Sequence, residues 1–289
     1  VINNALFKNP VLRSDVGEQL KKFWGKHTFL AIIIHELNDK ATQYMKEGLL
    51  DNFYTVLESF SKVSCDINKN NNPHALISRP ASEFLLTDME EGVVSKNRSK
   101  RIARTEKVLT QLFHAINGDN KSLYYKINPN GEDELRYQLR IKKNISGEER
   151  DLPFEYESYG NHQIVRMLPF LLRALTGETV ILDETDLGIH DLLYSKIIQE
   201  AQPYINGQLI LTTHNTLFLE TQEMKEAIYL IKENEKADHF VVPISNNGER
   251  IYQQTSMRNK YLNGAYGGVP QVETIDFKTL LSIAEEDSN

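Results

Sequence analysis

Thr179-Val180-Ile181-Leu182-Asp183-Glu184 is the stretch that decides how the rest of the chain is read. Its first four residues are β-branched or aliphatic and predict a short buried strand. That strand delivers two adjacent carboxylates at its C-terminal end. Open α/β sheets bind ligands outside the carboxyl ends of their strands. A carboxylate pair there suits a magnesium nucleotide: Asp183 can hold the hydrated metal, and Glu184 can orient and deprotonate an attacking water. Strand ends with solvated acids are common, so the motif needs company.

Company lies on both sides. Upstream, Glu157-Ser158-Tyr159-Gly160 opens a helix. A hydroxyl and free backbone N–H groups at a helix start can grip phosphate, or Ser158 can serve simply as a cap. That helix carries Ile164, Leu168, Leu171 and Leu175, contains Pro169, where a kink is expected, and stops at Gly177. A helix of about 17 residues spans roughly 25 Å, which would set Ser158 a helix length away from the carboxylates. Downstream, Leu187 to Gln202 reads as a helix ended by Pro203, and Gln208 to Thr212 as a second buried strand running into Thr213-His214-Asn215. If the two strands are neighbours, His214 stands beside the carboxylates. Ala227 to Ile231 and Phe240 to Ile244 read as two further strands. Strands alternating with helices predict an α/β layer that is at least partly parallel.

The first part of the chain has a different character. Val16, Leu20 and Phe23, the run from Phe29, and Leu50, Phe53, Val56, Leu57 and Phe60 all show helical spacing, and a further helix is expected from Ser99 to Ile116. Asn68 to Pro80, rich in Asn and Pro, reads as a loop. Leu123 to Ile127 and Leu135 to Lys142 alternate around Asn128-Pro129-Asn130-Gly131, the signature of a β-hairpin. The expected organisation is a mainly helical region over 1–120, then an α/β region over 121–289.

Composition bounds the remaining possibilities. The 289 residues carry 33 Lys and Arg against 40 Asp and Glu, a net charge of −7 that excludes a chain coated in nucleic-acid-binding charge. One local reversal stands out: Lys96, Arg98, Lys100, Arg101, Arg104 and Lys107, a basic cluster that can meet nucleic acid or an acidic partner, or be a solvated face. Hydrophobic residues at 40% fit a chain with a proper core. The longest apolar run, Phe29 to Ile34, is far too short to cross a membrane. A single cysteine, Cys65, excludes an internal disulfide and points to a reducing, cytoplasmic setting. Phe277, Leu280, Leu281 and Ala284 predict a last helix, for which core packing is expected ahead of a partner.

Taken in order, Ser158-Tyr159-Gly160, then Asp183-Glu184-Thr185-Asp186-Leu187-Gly188-Ile189-His190, then Thr212-Thr213-His214-Asn215 resembles the ABC-type ATPases. The closer likeness is to the SMC-like, AAA-annotated branch with its abortive-infection (AbiL-type), OLD and RecF members. The tail from Lys260 to Pro270 is also similar to the end of an abortive-infection ATPase, so the resemblance spans 152–272. It implies ATP and Mg2+ as cofactors, with Asp183 on the metal, Glu184 as catalytic base and His214 as the switch histidine at the γ-phosphate. Ser158 and Gly160 would be the signature motif, which caps ATP held by a second copy, and Asp186, Gly188 and His190 would lie at that dimer interface. The implied fold is an ABC-ATPase-like C-terminal lobe, a partly parallel sheet with flanking helices, preceded by a mainly helical insertion and a β-hairpin.

One departure weighs heavily. The family's phosphate-binding string G-x-x-x-x-G-K-[S/T] does not occur; Gly25-Lys26-His27-Thr28 and Gly118-Asp119-Asn120-Lys121-Ser122 lack the glycine spacing. The expectation is that the lobe bearing this loop lies outside the chain, which opens on Val1-Ile2-Asn3, and that the chain alone is inactive. The resemblance thus points to part of an ATP-hydrolysing protein of prokaryotic anti-phage defence, whose ATP-dependent dimer controls an effector, a nuclease or a toxin. A RecF- or SMC-like DNA repair ATPase is the alternative, and a non-catalytic module with relic motifs the third reading. No membrane partner is expected.

Overall fold

The computed structural model describes residues 3–23, 28–39, 42–69, 72–76, 85–117, 121–221, 226–234, 236–246, 256–269 and 274–285. It divides into two compact units, Val1–His214 and Asn215–Asn289. The boundary near residue 120, expected from the change of periodicity along the chain, is not where this division falls.

The first unit begins with four helices, α1 (Pro10–Phe23), α2 (Phe29–Asp39), α3 (Thr42–Gly48) and α4 (Asp51–Ser61). Asn9 starts α1 by accepting the Val11 N–H at 2.8 Å, with Pro10 at the first helical position, where its missing N–H costs nothing. Leu12 and Val16, one helical turn apart, join Ile33, Met45, Leu49 and Leu57 in one apolar cluster. The stripe expected on α4 is narrower than its spacing suggests. Leu57 is buried, whereas Val56 and Phe60 are exposed.

A central sheet follows in the order β2-β1-β7-β8. Strands β1 (Val63–Lys69), β7 (Thr179–Asp183) and β8 (Gln208–Thr212) run parallel, and β2 (Asn72–Leu76) closes one side antiparallel. The expected loop from Asn68 is therefore corrected: β1 continues to Lys69, and Asn72 to Leu76 pairs with it, while residues 77–80 lie outside the described residues. The reason the strand is hard to read is its polarity. Ser64 and Asp66 are buried while Ile67 is exposed, the reverse of the usual alternation. Their partners come from α6 (Tyr159–Leu175) and the turn after it. Asp66 pairs with Arg166, Arg173 binds both carboxylate oxygens of Glu178 at 3.1 and 2.9 Å, and Ser64 donates to Glu178 at 3.3 Å. Buried charge survives here because each group is paired and hydrogen-bonded. Helix α6 runs through Pro169 and ends at Gly177, whose φ is +96°.

The hairpin expected in the middle of the chain is present and longer than its core pattern: β4 (Lys121–Asn130) pairs with β5 (Glu134–Ile145) over its whole length. The other side of β5 takes β3 (Glu91–Ser95) and then β6 (Glu148–Pro153). Helix α5 (Lys100–Asn117) packs against β4, and Ile102, Leu109 and Phe113 of the helix are buried, as are Leu123, Tyr125, Tyr137, Leu139 and Ile141 of the sheet. Burial pushes the Tyr137 phenol up to about 12 and Tyr125 further still; their hydroxyls donate to the Asp88 and Met89 carbonyls at 2.8 and 2.5 Å.

Two readings of the second unit need correction. Strands β9 (Tyr229–Glu233) and β10 (His239–Pro243) form an antiparallel pair of their own instead of extending the parallel layer, because only five residues part them. The last helix, α9 (Phe277–Glu285), forms as expected, but Phe277, Leu280, Leu281 and Ile283 are all exposed, so it has no core partner among the described residues. Between α9 and the strands lies α8 (Met257–Leu262), and Leu219, Leu230, Ile244, Met257 and Tyr266 make this unit's core. No described helix is long and apolar enough to cross a membrane.

Candidate functional site

The register of β7 and β8 sets Asp183 level with Thr212, so the carboxylates and the Thr-Thr-His run leave neighbouring parallel strands at the same end. Thr212 ties the two exits together. Its hydroxyl donates to Asp183 Oδ1 at 2.5 Å, and the Glu184 N–H reaches Thr212 Oγ1 at 3.0 Å. Beyond the tie, His214 Nε2 stands 3.5 Å from Glu184 Oε1. Both groups open to solvent: the His214 side chain is 88% exposed and that of Glu184 43%. Thr213 donates to Asp186, which brings a third carboxylate to the same end.

Glu184 has φ +50°, a left-handed conformation that strains a residue with a side chain, by roughly 1–3 kcal/mol. The surroundings hold it there. Thr185 is buried and shares a 3.1 Å hydrogen bond with Tyr194 OH, whose phenol burial pushes up to about 12. This turn displaces the helix expected from Leu187. Helix α7 (Asp191–Ala201) starts four residues later, and residues 184–190 form a loop. His190 caps α7, its Nδ1 accepting the Leu192 N–H at 3.2 Å. That bond places the ring proton on Nε2 and gives His190 a structural duty.

Ser158 likewise caps α6, accepting the Asn161 N–H at 3.3 Å. Beneath it Glu157 pairs with Lys143 and accepts from Asn161 Nδ2 at 2.7 Å. The separation expected between Ser158 and the carboxylates is corrected by topology. The turn at Gly177 folds β7 back along α6, so the start of that helix meets the loop leaving the strand. Gly160 and Gly188 touch: a Cβ on Gly160 would lie 2.4 Å from the Gly188 carbonyl oxygen, and one on Gly188 2.2 Å from the Tyr159 ring. The structure therefore gathers Asp183, Glu184, Asp186 and His214 at one end of the strands, and packs Tyr159 and Gly160, at the start of α6, against Gly188 of the loop that ends at His190.

Thr185, Tyr159, Tyr194 and Thr212 do the positioning and carry no sequence signal of their own beyond the threonine inside Thr-Thr-His-Asn. A groove of about 630 Å³ lies elsewhere in the unit, between Thr87–Glu91 and the Val165–Phe170 part of α6, and none of the candidate residues lines it. Among the described residues no three His, Cys, Asp or Glu side chains form a metal cage. One carboxylate such as Asp183, with an oxygen left over from the Thr212 bond, fits magnesium that keeps its waters and takes its other ligands from phosphate.

Comparison with known proteins identifies a family. The family model described as "AAA domain, putative AbiEii toxin, Type IV TA system" matches residues 35–220. No curated protein matches. Among solved structures, the chain is similar to the Smc head domain from Pyrococcus furiosus, with an extended coiled coil and bound to the C-terminal domain of ScpA. The identity is 13% and the TM-score 0.31; the match covers 81% of this chain and 54% of that one.

Proposed function

The chain belongs to this AAA domain family, a family of AAA-type ATPases, and from that premise we propose that it is the C-terminal part of an ATP-binding, ATP-hydrolysing protein. The observation that carries the reading is the pairing of Glu184 and His214, 3.5 Å apart, at the ends of two parallel strands laced together by Thr212.

In this reading Asp183 is the carboxylate for Mg2+, and Thr212 holds it in place. Magnesium, when bound, neutralises charge that develops on the phosphate oxygens. Glu184 takes the proton of the attacking water, and its held backbone keeps the carboxylate turned toward solvent beside His214. His214 donates to the terminal phosphate. Ser158 and Gly160, with Asp186 and His190, face nucleotide bound by a second copy, giving composite sites in a homodimer. The phosphate-binding loop comes from outside these 289 residues. The edge of β8 away from β7 takes no strand partner among the described residues. The helices α1–α4 are the insertion, and the ATP-driven dimer controls an effector, a nuclease or toxin, in anti-phage defence in the cytoplasm.

The test is Glu184→Gln in the complete protein. It keeps shape and hydrogen bonding but removes the base, so turnover should fall about 10²–10⁴-fold while ATP binding survives and the ATP-bound dimer accumulates on a sizing column. Wild-type turnover in that variant would dismiss the assignment. The 289-residue chain alone should show no turnover.

A further inference from the structure

We propose that the solvent-facing pole of α5 docks on the phosphate backbone of duplex DNA. Helix α5 is anchored on one side by Ile102, Thr105, Leu109 and Phe113, all buried. On the opposite side Lys100, Arg104, Lys107 and Gln111 are exposed at alternating spacings of four and three, a straight line along the helix. The one acid of α5, Glu106, lies off this line, its carboxylate accepting the Tyr125 N–H at 2.8 Å on the sheet side. Lys100 and Lys107 make no ion pair among the described residues. Arg98 adds a cation just ahead of the helix, while Lys96 is held by the Glu132 carbonyl and takes no part.

Stability alone does not account for this placement. The first turn of α5 carries no acid, and its cations crowd the end where the helix dipole is already positive. In a chain of net charge −7, the line concentrates positive potential on a rigid face. Lys100 and Lys107 stand seven residues apart, about 10.5 Å of helix axis, against one phosphate of each strand per 3.4 Å of duplex axis. The line is therefore the length of about three phosphates. No Phe, Tyr or Trp side chain shares the pole, which leaves it without the stacking platform typical of single-strand binders. The chemistry favours a duplex backbone, contacted without reading sequence.

Fluorescence anisotropy with the 289-residue chain and a labelled 20-base-pair duplex of mixed sequence tests the idea across 50–200 mM salt. The wild-type chain should bind at 50 mM. Lys100→Glu/Lys107→Glu should flatten the log–log salt slope by about 1.8, so its affinity falls about tenfold less than wild type across that range. Its affinity at 50 mM should be at least tenfold weaker, with an unchanged circular dichroism spectrum and no drop in Tm. Lys22→Glu/Lys46→Glu changes net charge equally elsewhere and should leave binding as it is. Absence of wild-type binding at 50 mM, equal losses in both variants, or tighter binding to poly-glutamate or single-stranded DNA than to the duplex would overturn the proposal.

Discussion

Replacing Gly160 by alanine sets two effects of opposite sign against each other. Helix propensity favours the change by up to about 1 kcal/mol, and by less at the second position of a helix such as α6. Packing opposes it. The added Cβ would lie 2.4 Å from the Gly188 carbonyl oxygen, 3.2 Å from its carbon and 3.4 Å from Ile189 Cα. All three are backbone atoms, so relief requires the start of α6 and the 184–190 loop to part by the better part of an ångström. Overpacking of this kind costs about 1–3 kcal/mol, and the balance should be a loss of about 0.5–2 kcal/mol. Urea unfolding followed by circular dichroism would show this as a midpoint lowered by about 0.3–1 M, taking a slope near 2 kcal/mol per molar. A midpoint that rises would mean that propensity wins, and that the close approach of Gly160 and Gly188 is not a packing constraint. In the complete protein the same substitution should slow ATP turnover, since the loop it displaces begins at Glu184.

Two further outcomes follow from other contacts. Arg173→Met leaves Glu178, whose side chain is 2% exposed, without its main partner. The expected loss is about 3–5 kcal/mol in urea unfolding, and Arg173→Met/Glu178→Leu should recover much of it; an equally unstable double variant would show that the pair is not what the core needs. Alkaline stability should depend on Tyr194 and Tyr137, whose phenols burial raises to about 12 from 10. The folded state then holds protons that the unfolded state gives up, so stability is fully present below pH 10 and falls between pH 10 and 12. Absorbance at 295 nm should show these tyrosines ionising together with unfolding, and Tyr194→Phe should flatten the pH slope. A slope unchanged by Tyr194→Phe would remove that residue from the account.

How much of this was legible in the sequence depends on whether a residue's neighbours in the chain are also its partners in space. Strands β7 and β8 are short apolar runs, the β4–β5 hairpin alternates around its turn, and α6 carries its own start and stop at Ser158 and Gly177. Each is a local signal, and each reads correctly. Strand β1 is illegible because Asp66 is matched by Arg166 a hundred residues later, and only that match turns a polar stretch into a buried strand. The pairing of β9 with β10 escaped for another reason: an apolar run predicts a strand but not the direction of its neighbour. At the candidate site the residues at strand ends could be named from spacing alone. The contact between Gly160 and Gly188 could not, since it exists only once β7 has folded back along α6.

The long reach of β1 also sets an order of assembly. Ser64 and its partner Glu178 are 114 residues apart, whereas the Thr212–Asp183 bond between β7 and β8 spans 29. Closing the longer loop costs about 1.2 kcal/mol more in chain entropy, so the β7–β8 pair and the β4–β5 hairpin are positioned to form first. On a ribosome adding roughly 5–20 residues per second, β1 would emerge some 6–23 s before the segment that completes its pairing. A strand with an apolar inner face would spend that interval exposed and prone to stick to other chains. Ser64 and Asp66 give β1 an inner face that water solvates well. The polarity that hides this strand from a sequence reader is thus what lets it wait safely, and the sheet beside the carboxylates is completed only when the last of its partners has been made.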